Sequence, residues 1–341
     1  VSTAVPTILD VAARAGVSKS VVSRVLTGAP GVAASTRERV QTAATELGYV
    51  ANAMAQGMVA RRTHTLGAFV RDAATPFYGH LLTALQERAS AVGYRIVTAT
   101  GSGTFPVSEE RRALETLVSL RVEGLLVCSG ALPVEDVLPL AARVPTVVAG
   151  RPETSPALSS VFCDERGGGR ALADHVHALG HRRVVVLTLE PRTSLTLSPR
   201  SHAMADRLRE LGVTVRAVRA EDHRDARLDG VGEVVETALA DRATCLMTAS
   251  DRYAVAALEA LQQRGMRAPE DLSVTGYDGI GDLAGPLLGL TSWRQPLDVV
   301  GALAVDEVAA AIDARAAGTP VPTRHRAVDG SLLVGRTAGR P

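Results

Sequence analysis

Lysine is nearly missing from this chain of 341 residues: of its 37 lysines and arginines, only Lys19 is a lysine, a ratio of the kind that a GC-rich coding preference produces. Cysteine is scarce as well. Cys128, Cys163 and Cys245 are far apart and odd in number, which excludes a disulfide framework and a CxxC metal or redox pair. They are expected as small buried residues in a reducing compartment. No segment holds the long uncharged apolar run of a membrane span, and the N-terminus lacks the basic-then-apolar layout of a signal peptide. The expectation is a soluble, cytoplasmic protein with no membrane partner. GxSxG, SxxK and HExxH motifs are absent. His175 and His177 stand two apart on a predicted helix and so face different sides, which argues against a zinc site. Gly167-Gly-Gly169 lacks the spacing and the lysine of a phosphate loop and reads as close packing at a helix start. No enzymatic activity, metal or cofactor is expected.

What is present is unevenly placed. Residues 1–62 carry seven basic and three acidic side chains, a net of +4, so a chain of net +1 leaves −3 for the remainder. A small basic module ahead of a slightly acidic body points to a polyanion as the partner of the N-terminus. A length of 341 residues favours two or three domains, each with its own core.

Three short helices are legible in that basic module. Thr7 caps the first, with Asp10 three residues on and Ile8, Val11, Ala12 and Ala15 forming one apolar stripe before Gly16. Ser18 caps the second, which turns Val21, Val22, Val25 and Leu26 inward and leaves Lys19, Ser20, Ser23 and Arg24 outside. The third is predicted to open at Ser35, with Glu38 at the reciprocal capping position, and to end at Gly48. A glycine-containing turn between the first two is the layout in which the second helix enters the major groove of DNA. Lysine and arginine reach guanine O6 and N7, so Lys19 and Arg24 are the expected base readers.

The run Thr7-Ile-Leu-Asp-Val-Ala-Ala-Arg-Ala-Gly-Val-Ser-Lys-Ser-Val-Val-Ser-Arg-Val-Leu resembles, almost position for position, the headpiece of the LacI/GalR family of bacterial repressors. Thr36-Arg-Glu-Arg-Val and Glu46-Leu-Gly-Tyr-Val-Ala-Asn-Ala-Met-Ala continue the likeness. It implies base reading by Lys19, Ser20 and Arg24, and backbone positioning by Thr7, Ser18, Ser23, Tyr49 and Asn52. Val21 stands where a threonine is usual. The headpiece would span 1–50 and a hinge helix with its linker 51–63. Asn52 to Val59 allows about two helical turns, too few to be stable alone in water. The resemblance implies that such a hinge orders on DNA and wedges a side chain into the minor groove. Met58 holds the wedge position, with Gly57 weakening the helix by roughly 1 kcal/mol. Ala51 replaces the usual proline.

From Thr65 onward, short apolar segments alternate with amphipathic helical ones, and eight strands are predicted: 66–70, 95–99, 125–128, 146–149, 184–189, 213–218, 245–248 and 273–277. This is the pattern of parallel sheets covered on both faces by helices, which bind ligands at the carboxyl ends of their strands. Here too the likeness continues. Arg71-Asp-Ala-Ala-Thr-Pro-Phe-Tyr, Asp164 with Gly168-Gly169, Ser250-Asp251, Pro269 through Asp278 and Leu290-Thr-Ser-Trp-Arg-Gln-Pro296 resemble successive family segments. It implies a two-lobed α/β domain like the periplasmic binding proteins over 64–341, with one lobe of 64–164 plus 294–323 and another of 165–293 plus 324–341. It places Asp72, Phe77, Tyr78, Arg200, Asp251, Asp278 and Trp293 around the cleft. Carboxylates with one arginine offer directed hydrogen bonds to vicinal hydroxyls, and aromatic faces pack on sugar C–H surfaces.

The expected protein is a homodimeric transcriptional regulator, a repressor whose affinity for a near-palindromic double-stranded operator is set by a small molecule, a sugar first of all. Ligand as inducer and ligand as co-repressor both fit, the latter also with a metabolite other than a sugar. The competing class is a receptor of the periplasmic sugar-binding type carrying an unrelated N-terminal extension.

Overall fold

A computed structural model describes residues 6–26, 28–49, 62–101, 106–191, 194–219, 228 and 230–341. The chain divides into two compact units between Thr63 and His64. The hinge residues Asn52 to Val59 lie outside the described residues.

The first unit contains α1 (Ile8–Ala15), α2 (Lys19–Leu26) and α3 (Ala34–Glu46). Thr7 and Asp10 cap α1 reciprocally: Thr7 N donates to Asp10 Oδ2 at 2.7 Å, and Asp10 N donates to Thr7 Oγ1 at 3.4 Å. Gly16 ends α1 in the left-handed conformation, φ 63°, which a side chain would strain. Val11, Ala12, Ala15, Val22, Val25, Val40, Ala43 and Ala44 form the buried core. The start of α3 differs from expectation. Ala33 is the N-cap with no side-chain cap, so Ser35 falls inside the first turn, Glu38 lies just beyond it, and the two make no capping box. A tertiary contact ties down this end of the helix instead: Arg37, half-buried, donates to the carbonyls of Val25 at 3.4 Å and Ala29 at 3.1 Å at the end of α2.

The second unit holds two six-stranded sheets. In the first, β1 (Thr65–Val70), β2 (Arg95–Thr100), β3 (Gly124–Cys128), β4 (Thr146–Ala149), β5 (Ser159–Cys163) and β11 (His325–Val328) run in the order β11-β5-β4-β3-β1-β2, all parallel. In the second, β6 (Arg183–Thr188), β7 (Thr214–Arg219), β8 (Cys245–Met247), β9 (Ser273–Asp278), β10 (Thr291–Arg294) and β12 (Ser331–Leu333) run β12-β10-β9-β8-β6-β7, and only β12 is antiparallel. The central strands of each sheet are buried on both faces, and successive side chains alternate between two cores. Leu66, Ala68 and Val70 of β1 enter one core and Phe69 the other. Val185 and Leu187 of β6 part in the same way from Val184 and Val186. The three cysteines are free and buried.

Four strands escape the sequence pattern: β5, β10, β11 and β12. One of them moves a lobe boundary. His325 pairs with Ser160 and Val328 with Cys163, so residues 325–328 belong to the first lobe, and the chain crosses between Val328 and Ser331 rather than at 323–324. The reason is exposure: β11 is an edge strand carrying His325 and Arg326 toward solvent, with no apolar run to betray it. Close packing at Gly168-Gly169 is also visible. A Cβ on Gly168 would collide with the Tyr277 hydroxyl and Trp293 Nε1, and one on Gly169 would meet the Arg200 carbonyl.

Candidate functional site

Helix α2 presents one polar face. Lys19, Ser20 and Arg24 are exposed and Ser23 is half-buried, while Val22 and Val25 anchor the opposite side in the core. Ser18 accepts a hydrogen bond from Val21 N at 3.4 Å and pairs with Ser20 Oγ at 2.8 Å, which places a cluster of hydroxyls at the start of the helix. Arg24 Nη2 donates to the Pro30 carbonyl at 2.8 Å. Tyr49, half-buried, continues the same unit, whereas Asn52 and Met58 lie outside the described residues. The face combines positive charge with short hydroxyl side chains at the end of a helix that leads with its backbone N–H groups, the chemistry that phosphates and guanine edges accept.

The second unit carries a cavity of about 180 Å³ between its lobes. Its wall is built where strands end, as open α/β sheets require. Arg71 and Asp72 follow β1, Ser129 and Gly130 follow β3, Leu189 closely follows β6, and Asp278 ends β9. Of the residues expected at the cleft, Asp72, Phe77, Tyr78, Arg200 and Asp278 line it. Burial pushes the Tyr78 hydroxyl up to about 12, so it stays protonated while it accepts Gly130 N at 3.2 Å.

Two expected residues sit elsewhere. The Asp251 carboxylate is buried and turned toward the chain: it accepts Gly279 N at 2.8 Å, Ile280 N at 3.3 Å and Ser292 Oγ at 2.6 Å. It borders a small neighbouring pocket instead and pins the segment after β9, whose Ile280 packs into the first lobe's core. Burial, with the charge of Asp278 adding, raises Asp251 to about 7. Trp293 is outside the cavity wall, its indole nitrogen packed against Gly168 and Gly330.

Behind the wall lies a charge network that no local pattern announced. Glu165, the first residue of α4 (Glu165–Ala178), accepts Arg200 Nε and Nη2 at 2.7 Å each. Arg200, from α5 (Leu197–Glu210), also donates through Nη1 to Asp278 Oδ1 at 2.8 Å and to the Ala249 carbonyl at 3.1 Å. Its guanidinium lies over the Tyr277 ring, 4.1 Å from the centroid. Burial alone would lower the Arg200 pKa, but the charges of Glu165 and Asp278 outweigh it and hold the group fully charged. In the first lobe Arg71 pairs with the buried Glu110, which also accepts Ser129 Oγ at 2.6 Å. Sequence reasoning missed Arg71, Glu110, Glu165 and Arg252. The position of Arg71 directly after an apolar strand was the one available signal.

Residues 7–52 match the bacterial regulatory proteins of the lacI family, and residues 173–337 match the periplasmic binding protein-like domain. The chain is 35% identical to the HTH-type transcriptional regulator CelR of Thermobifida fusca, covering 87% of this chain and 88% of that protein. The chain belongs to the lacI family. As a LacI-family member it is a DNA-binding transcriptional regulator with an effector domain. Catabolite control protein A of Priestia megaterium is 30% identical, with 88% of this chain and 90% of that protein covered. Among solved structures, the Lac repressor dimer bound to operator and the anti-inducer ONPF is similar with a TM-score of 0.82 at 26% identity, over 98% of this chain and 99% of that one. The CelR–cellobiose complex is similar with a TM-score of 0.67 at 29% identity, over 97% and 99%. Among the described residues of this LacI-family chain, no helix is long and apolar enough to cross a membrane.

Proposed function

We propose that this regulator acts as a homodimeric repressor that grips a near-palindromic operator through Lys19, Ser20 and Arg24, and that a carbohydrate in the inter-lobe cavity sets its affinity. The observation that carries the effector half is the cavity wall itself: Asp72 and Asp278 as acceptors, Arg200 as donor, and Phe77 and Tyr78 as apolar faces, all around one space of about 180 Å³. That combination suits a ring with hydroxyls on its edge and C–H groups on its faces. The CelR–cellobiose complex supports a sugar as the class. Linkage supplies the mechanism. A ligand that binds one lobe arrangement better than another shifts the population, and the operator affinity shifts with it by the same coupling.

The experiment is a thermal-shift screen of sugars and nucleobases, followed by fluorescence anisotropy on the DNA upstream of the regulator's own gene with each hit. A neutral sugar that stabilises the protein and changes operator affinity is the expected result. Equal affinity for scrambled and upstream duplexes at physiological salt, with and without hits, would refute the DNA-reading half.

A further inference from the structure

We infer that Glu165, buried behind the cavity wall, is the residue that sets the charge selectivity of the cleft, so that the effector is an uncharged polyhydroxylated molecule and its phosphorylated counterparts are rejected. This rests on the reading of the cavity as the effector site.

Among the described residues, three guanidiniums face the cavity: Arg71, Arg200 and Arg252. Two already hold a buried carboxylate. Arg71 is paired with Glu110, which has no exposed surface, and Arg200 is gripped through Nε and Nη2 by both oxygens of Glu165, 3% exposed. The wall then adds two carboxylates of its own, Asp72 and Asp278. Four acidic groups thus stand against three basic ones. Nη1 of Arg200 is also committed, to Asp278 and to the Ala249 carbonyl, so four of the five guanidinium N–H positions point at protein oxygens. A phosphate entering this space would meet Asp72 and Asp278 where water no longer screens like charges, and it would find Arg200 with no fork to offer. A hydroxyl meets none of this opposition. It can donate to Asp72 or Asp278 and accept from Ser194 or Thr196, which also line the wall.

Glu165 is not in the wall and acts through Arg200. Glu165→Gln keeps the shape, removes one negative charge and loosens the hold on the guanidinium edge. The prediction is therefore a gain of binding rather than a loss, which mere damage to the fold cannot produce.

The test titrates inorganic phosphate and glucose 6-phosphate into the full-length protein and its Glu165→Gln variant, with glucose and cellobiose in parallel. Binding is read from Trp293, the single tryptophan, which packs against Gly168 in the effector domain. The wild type should show no saturable response to either phosphate, and the variant should bind both at least about tenfold more tightly. Glu110→Gln, which releases Arg71 in the same way, provides the gain-of-binding arm should Glu165→Gln fold poorly. Saturable phosphate binding by the wild type, or no gain in a folded variant, overturns the role of Glu165. Failure of every neutral sugar to move the signal overturns the carbohydrate reading separately, because the inorganic phosphate arm still reports the charge of the site.

Discussion

Arg252 Nη1, on helix α6 (Asp251–Gln263) of the second lobe, donates at 3.1 Å to Thr75 Oγ1 of the first lobe, and the Thr75 hydroxyl in turn donates to Asp72 Oδ2 at 2.6 Å. All three residues line the cavity. A backbone bond crosses the same gap, from Leu195 N to the Gly130 carbonyl at 2.8 Å. The lobes are therefore held together on the cavity's own wall, where a ligand can strengthen or replace the bridge. A ligand seated there would couple occupancy to closure without any distant relay.

Replacing Arg252 by alanine removes the charged half of this bridge. Effector affinity should fall about tenfold, the scale of one charge-assisted hydrogen bond that is partly open to solvent. Isothermal titration measures the affinity, and small-angle scattering should report a larger radius of gyration for the ligand-free protein. Unchanged affinity and scattering would reduce the bridge to a surface contact.

On the proposed DNA-reading face, Arg24→Ala should cost about 1–3 kcal/mol of specific binding and relax preference at one base pair per half-site. To reach a base edge, Arg24 would have to give up its 2.8 Å bond to the Pro30 carbonyl. Competition against single-base operator variants separates this from a phosphate contact, whose removal would weaken all sequences equally.

Thr7→Ala dismantles the reciprocal cap of α1 and should destabilise the headpiece by about 1 kcal/mol. Hydrogen bonds from the Thr7 side chain and backbone hold the Asp10 carboxyl below its usual value. The stabilisation from Asp10 is thus present above the unfolded carboxylate range and is lost as pH falls through the lower folded value. Thermal melts of the headpiece signal between pH 2 and 5 should therefore show a weaker acid dependence in Thr7→Ala.

The opposite sign applies to Asp251, which burial and then Asp278 raise to about 7. An acid with a raised folded pKa stabilises the fold most below its unfolded value, and that contribution is lost as pH rises toward 7. Denaturant midpoints of the effector domain should carry this downward slope between pH 4 and 7. Asp251→Asn should flatten it. Equal slopes in both proteins would mean that the three donors on the carboxylate, Gly279 N, Ile280 N and Ser292 Oγ, outweigh its desolvation.

The headpiece was largely legible because its signals are local. The Thr7 cap with Asp10, the stop at Gly16 and the spacing of Val22 and Val25 all act within a turn or two. Where the local signal was ambiguous it misled: Ser35 with Glu38 imitates a capping box, yet Arg37 reaching back to Val25 and Ala29 accompanies an earlier start for the helix. In the effector domain the apolar central strands stood out, whereas β11 stayed hidden because an exposed edge strand needs no apolar alternation.

By itself, then, the order of residues determined the headpiece helices, eight of the twelve described strands and the family likeness that brought Asp72, Phe77, Tyr78, Arg200 and Asp278 to one cleft. Only the tertiary structure decided which way each charged group faces. Glu165 meets Arg200 across 35 positions, Glu110 meets Arg71 across 39, and Arg252 meets Thr75 across 177. It also turned Asp251 toward the backbone and packed Trp293 against Gly168. The physical reason is range: backbone conformation answers to neighbours a few residues away, while a buried charge answers to whatever the fold sets within a few ångströms of it.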